Sequence, residues 1–99
     1  MWFFVYGKRK QVSARTTLPV AERTLRGLGF NVFDPARDGG FTVAGSIDAL
    51  GVLVTVVALD ANDGSINTIN AFCSQQEGVE TARAAAEKVY NDIVAILTL

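Results

Sequence analysis

The chain has 99 residues and a formal net charge of −1, a length that makes one domain, 1–99, with no spare segment for a second. Hydrophobic residues supply 49% and charged residues 19%, a balance that excludes intrinsic disorder. No apolar run reaches the length of a membrane span, and Met1–Tyr6 precedes its charges instead of following them as a secretory leader would, so a cytoplasmic protein with no membrane contact is expected.

Trp2 to Tyr6 is aromatic and β-branched and predicts a strand, with Gly7 as its bend. Gly7 to Arg15 is basic and polar, either a loop or a twisted edge continuation of that strand. Thr16 or Thr17 then caps a helix with Pro19 in its first turn, where a missing N–H is harmless. Leu18, Ala21, Leu25 and Leu28 form its apolar stripe, and Gly27 and Gly29 stop it. Phe30–Phe33 is a short strand by composition, and Asp34-Pro35 with Asp38-Gly39-Gly40 makes the loop that follows.

Phe41 to Ser74 predicts three strands joined by two tight turns. Asp63-Gly64 is the strongest turn signal, since a two-residue hairpin loop needs positive φ. With those residues as the loop, Asn62 faces Ser65, and Ala58, Val56 and Val54 face Ile69, Ala71 and Cys73. The earlier turn, Asp48-Ala49-Leu50-Gly51, places Ile47 opposite Val52, Gly45 beside Val54, Val43 beside Val56 and Phe41 beside Ala58. Both turns assign Phe41, Val43, Gly45, Ile47, Val52, Val54, Val56, Ala58, Ile69, Ala71 and Cys73 to one apolar face.

The other face mixes apolar residues with hydroxyls and an amide: Thr42, Ala44, Ser46, Leu53, Thr55, Val57, Leu59, Thr68, Asn70, Phe72 and Ser74. A face meant only for water would not align Leu53, Val57 and Leu59 with Phe72 nearby, so a contact surface is expected there. Ser74-Gln75-Gln76-Glu77 then fits a capping box, with Gly78 weakening the first turn. Val79, Ala82, Ala86, Val89, Tyr90, Ile93 and Leu97 mark one face of a long second helix.

Strand, helix, four strands, helix: this order predicts an α+β two-layer sandwich, a curved antiparallel sheet with both helices on the uniform apolar face. It resembles the β-α-β4-α unit of the TATA-binding-protein-like fold at the level of architecture, and folds of this kind host unrelated functions.

The sequence holds no catalytic signature. Histidine is absent, which removes the commonest general base and zinc ligand. Cys73, the single cysteine, falls on the apolar face and reads as a buried structural thiol that forms no internal disulfide. Asp60-Ala61-Asn62-Asp63-Gly64 fails as a calcium loop, because glycine stands fifth instead of sixth and Ala71 takes the place of the bidentate Glu. No metal and no cofactor are expected, and an enzyme would have to work with Asp, Tyr, Arg or Cys73.

Charge is uneven along the chain. Six cations face Glu22 alone within residues 1–30, whereas nine acids face three cations beyond them. Lys8, Arg9 and Lys10 beside Trp2, Phe4 and Tyr6 could serve single-stranded nucleic acid, against the acidic overall balance. The leading expectation is a non-catalytic binding or assembly module. It pairs as a homodimer through Thr42, Leu53, Thr55, Val57, Leu59, Thr68, Asn70 and Phe72, a self-complementary face suiting a two-fold. The same residues could instead line a pocket for a small apolar ligand or meet another protein.

Overall fold

The computed structural model describes residues 2–10, 12–62 and 64–96, with the backbone alone for residues 2–10. Strands β1 (Trp2–Lys10), β2 (Asn31–Asp34), β3 (Thr42–Ile47), β4 (Val52–Ala61) and β5 (Gly64–Cys73) alternate with helices α1 (Ala14–Gly27) and α2 (Val79–Ala95) in the expected order. The strands form one antiparallel sheet in the order β1-β5-β4-β3-β2, so the N-terminal strand closes beside the last one. Both helices pack on one face of it, and the molecule is a two-layer α+β sandwich.

The alternation of burial along β4 and β5 sorts the two faces as the sequence pattern requires. Val43, Val52, Val54, Val56, Ala58, Ile69, Ala71 and Cys73 are buried under Leu18, Ala21 and Leu25 of α1 and Ala82, Ala86, Val89 and Ile93 of α2. Small residues on α2 let its axis lie close to the sheet. Leu97, expected to continue that stripe, lies outside the described residues.

The β3–β4 register matches expectation, with Ile47 opposite Val52 and Val43 opposite Val56. The β4–β5 register does not. Its ladder closes at Ala61 opposite Gly64, so Val56 faces Ile69, Val54 faces Ala71 and Val52 faces Cys73. Gly64 takes φ 148° as the first residue of β5, a backbone state open to glycine, instead of serving as the second loop residue. Each partner therefore moves by two positions, and a shift of two leaves every side chain on its assigned face.

Phe41 departs from its expected place in the core. Its carbonyl accepts the Ala58 amide at 2.9 Å and prolongs the ladder, but its side chain is 56% exposed. At that end of the core Thr17 of α1 closes over Asn67, opposite Ala58, so a polar pair stands where the aromatic ring was expected.

Helix α1 begins three or four residues earlier than the expected cap at Thr16 or Thr17. Ser13 is its N-cap by backbone and makes no side-chain cap bond, while Asp60 of β4 accepts the Ala14 amide at 2.8 Å. Pro19 consequently lies inside the helix and withholds the N–H that the exposed Arg15 carbonyl would receive. The helix stops in a Schellman motif: Gly29 at φ 87° donates to Arg26 and Phe30 donates to Leu25 at 3.0 Å, with Phe30 and Leu25 both buried. Leu28, expected in the apolar stripe, is 42% exposed.

The capping box expected ahead of α2 is absent. Gly78 is the N-cap without a side-chain bond, preceded by a short 3-10 turn, Gln76–Gly78, and Ser74 Oγ donates instead to the Gly51 carbonyl at 3.3 Å. Gly78 is buried so tightly that a Cβ there would stand 2.5 Å from the Leu50 carbonyl oxygen and 2.6 Å from the Cys73 sulfur. That packing explains a glycine in a first turn where propensity argues against one.

Candidate functional site

The sheet face turned away from both helices carries all eight residues singled out for contact. Strand pairing arranges them in cross-strand rows: Ser46–Leu53–Phe72, Ala44–Thr55–Asn70, Thr42–Val57–Thr68 and Leu59–Ile66. Opposed residues share a face in an antiparallel sheet, so each row is a line of adjacent side chains. Register extends the first three rows onto β1 at Phe3, Val5 and Gly7, and the last at Arg9.

No formal charge falls on the central three strands of this face between Thr42 and Phe72. Ala44 is buried, and Thr42, Leu53, Thr55, Val57, Thr68 and Asn70 are half-buried by their strand neighbours. Exposure rises toward the hairpin end, where Leu59 is 51% and Ile66 52% exposed, and Phe72 at the opposite end is 37% exposed. Two aliphatic side chains half in water on facing strand positions constitute an apolar ridge. Ile66 belongs to it although the sequence-based list omits it, because the predicted hairpin register paired Leu59 with Thr68. Period-two alternation from Thr68 back through Ile66 carries the signal.

The margin of the face is polar. Thr42 Oγ1 donates to Asp34 Oδ2 at 2.7 Å, and Arg37 pairs with the other oxygen of the same carboxylate. The β2 carboxylate beside the apolar centre is thus neutralised by its own loop. Lys8, Arg9 and Lys10 occupy the end of β1 opposite Asn67, Ile66 and Ser65, close to the hairpin end of the face.

The covered face ends in polar residues that sequence reasoning left unassigned. Ser65 and Asn67 continue the inward alternation of β5 and are buried at 0% and 1% exposure. Thr17 Oγ1 lies 3.3 Å from both Asn67 Oδ1 and the Ala14 carbonyl oxygen, the Asn67 amide donates to Ser65 Oγ at 3.0 Å, and Ser65 donates to the Val12 carbonyl at 2.7 Å. Every member is satisfied within the protein, and the cluster fastens the start of α1 to the hairpin.

Cavities lie elsewhere among the described residues. A groove of about 670 Å³ runs between the helices, with Val20, Leu28 and Ile96 along it and Arg23, Lys88 and Asp92 at its rim. A smaller one of about 410 Å³ sits between α1 and the β2–β3 loop, beside Leu18, Pro19 and Ala36. In the first, Thr24 Oγ1 stands 2.7 Å from Asp92 Oδ2, and Lys88 Nζ lies 2.7 Å from Asp92 Oδ1. Burial pushes the Asp92 carboxyl upward, but the hydrogen bonds from Lys88 and Thr24 and the lysine charge outweigh it and hold the group below its ordinary range.

Among the described residues no cluster of three or more Cys, Asp or Glu side chains is placed to hold a metal ion. Cys73 is buried, its thiol turned to the Gln75 carbonyl. No helix of the described residues is long and apolar enough to cross a membrane. No protein-family model matches the chain, and a search of curated proteins returns no match.

Proposed function

We propose that the protein is a non-catalytic assembly module whose open sheet face is buried against the same face of a second copy. One observation carries this reading: a single sheet with one side sealed by two helices and the other left uncovered by the described residues, uncharged at its centre and rich in Leu53, Val57, Leu59, Ile66 and Phe72. Three strands of nine or ten residues flanked by shorter ones, each residue taking about 3.4 Å along its strand and about 4.8 Å across it, offer roughly 600 Å² in projection. That is of the same order as the roughly 800 Å² per partner of a stable interface. A two-fold axis parallel to the strands lays one copy's Leu59–Ile66 ridge on that of its twin and keeps both Asp34–Arg37 pairs at the rim.

Leu59→Asp tests the reading, because Leu59 is half exposed and its replacement leaves the core intact. The solution mass, read by native mass spectrometry, is expected to halve while the circular dichroism spectrum stays unchanged. An unchanged mass in the variant, or a wild-type monomer, would overturn self-association through this face. A small adduct of reproducible mass on the wild type would point to a ligand instead.

A further inference from the structure

The groove of about 670 Å³ lies in the helix layer, on the far side of the sheet from the open face. Its volume falls within the roughly 300–1,000 Å³ of sites that take small molecules. Val20, Leu28, Ala95 and Ile96 make its described lining mainly apolar, with Leu28 42% exposed at the end of α1. The polar groups of that lining are not equivalent. Asp92 is met at both oxygens, by Thr24 Oγ1 at 2.7 Å and by Lys88 Nζ at 2.7 Å, so its charge is balanced within the protein. Arg23 is exposed, and no carboxylate of the described residues pairs with its guanidinium. With Arg23 and Lys88 set against Asp92 alone, the described lining carries one net positive charge, and Arg23 holds it.

We infer that this groove binds an apolar acid of small-molecule size, a hydrocarbon body ending in a single carboxylate. Charge complementarity selects the head group. The guanidinium is a planar fork of N–H donors that a carboxylate meets at both oxygens, and one negative charge balances the groove. A cation would find the only carboxylate of the described lining already engaged by Thr24 and Lys88. The apolar lining selects the body, because a hydrocarbon chain leaves water on covering Val20, Leu28 and Ile96. The groove shares no residue with the open sheet face, so this site stands independently of the face-to-face association.

Decanoate and decanol, titrated separately into the full chain while amide chemical shifts are followed by NMR, test the inference. Decanoate is expected to shift the amides of Gly27, Leu28, Ala95 and Ile96 saturably, and to bind about tenfold or more tightly than decanol. Arg23→Gln changes an exposed side chain and leaves the core intact. It should weaken decanoate about tenfold and leave decanol unchanged. Decanol binding as tightly as decanoate would overturn the inference, as would undiminished decanoate affinity in Arg23→Gln. Shifts confined to the open sheet face would overturn it too. Binding that appears only after deletion of residues 97–99 would assign the groove to the chain's own end and overturn the proposal. Decanoate binding that persists in Leu59→Asp supports the groove as a site separate from the open face.

Discussion

Asp60 and Ala14, 46 residues apart in sequence, meet in a 2.8 Å hydrogen bond that caps α1 with a carboxylate borrowed from β4. The first turn of α1 holds no acidic residue of its own, so this oxygen meets both an orphan amide and the positive end of the helix dipole. Asp60→Ala is expected to lower stability by about 1 kcal/mol and Asp60→Asn by a few tenths. Urea denaturation of the two variants beside the wild type checks the order.

Two glycines on helix ends predict opposite outcomes for one substitution. A Cβ at Gly27 meets nothing within 4 Å, and Gly27→Ala should stabilise the protein by about 0.5–1 kcal/mol. At Gly78 the same methyl would fall 2.5 Å from a carbonyl oxygen and 2.8 Å from Val52 Cγ2. Gly78→Ala should destabilise by about 2 kcal/mol or more, with thermal midpoints moving in opposite directions for the pair.

Asn67 is the centre of the buried polar cluster. Asn67→Ala removes the donor to Ser65 and a partner of Thr17, and should destabilise by about 2–3 kcal/mol. Asn67→Asp keeps the shape but buries a carboxylate that cannot donate, so its folded-state pKa is raised. The protonated form is then the tolerated one, and the stability of this variant relative to Asn67→Ala should fall as pH rises through the carboxyl range. Denaturation of both at pH 4 and pH 7 measures the difference.

Acid stability is expected to depend on Glu22 and Asp92. The Ala36 amide donates to Glu22 Oε1 at 2.7 Å and, with the Arg26 hydrogen bond and charge, holds the carboxyl below its ordinary value of 4.5 despite partial burial. A carboxyl depressed in the folded state contributes stability above its unfolded pKa and loses it as pH falls through its folded pKa. Glu22→Gln and Asp92→Asn should each flatten the decline of stability below pH 4.5, and the double variant should flatten it more. A pH series of urea midpoints reads this directly.

The faces of the sheet were legible because strand side chains repeat every two residues, and the hairpin's two-residue shift preserves that parity. The same parity hid the error: Val56 is core whether it faces Ala71 or Ile69. Asp63-Gly64 has the chemistry of a hairpin loop, yet Gly64 spends its conformational freedom inside β5. Caps were the least legible element. Asp60, 46 positions from Ala14, and the crowding of Gly78 against Cys73 are tertiary facts that no local motif encodes.

The closure of β1 on β5 also sets the order in which the fold can be made. Trp2 pairs with Cys73, so the first strand to be synthesised waits for the last before its backbone groups find partners. At about 5–20 residues per second the interval between Lys10 and Cys73 lasts roughly 3–13 s. During it an aromatic strand is unpaired, and the sheet's longest-range contacts are the ones that loop-closure entropy makes slowest. The basic run Lys8-Arg9-Lys10 is then the gatekeeper that keeps the waiting strand from pairing with its neighbours.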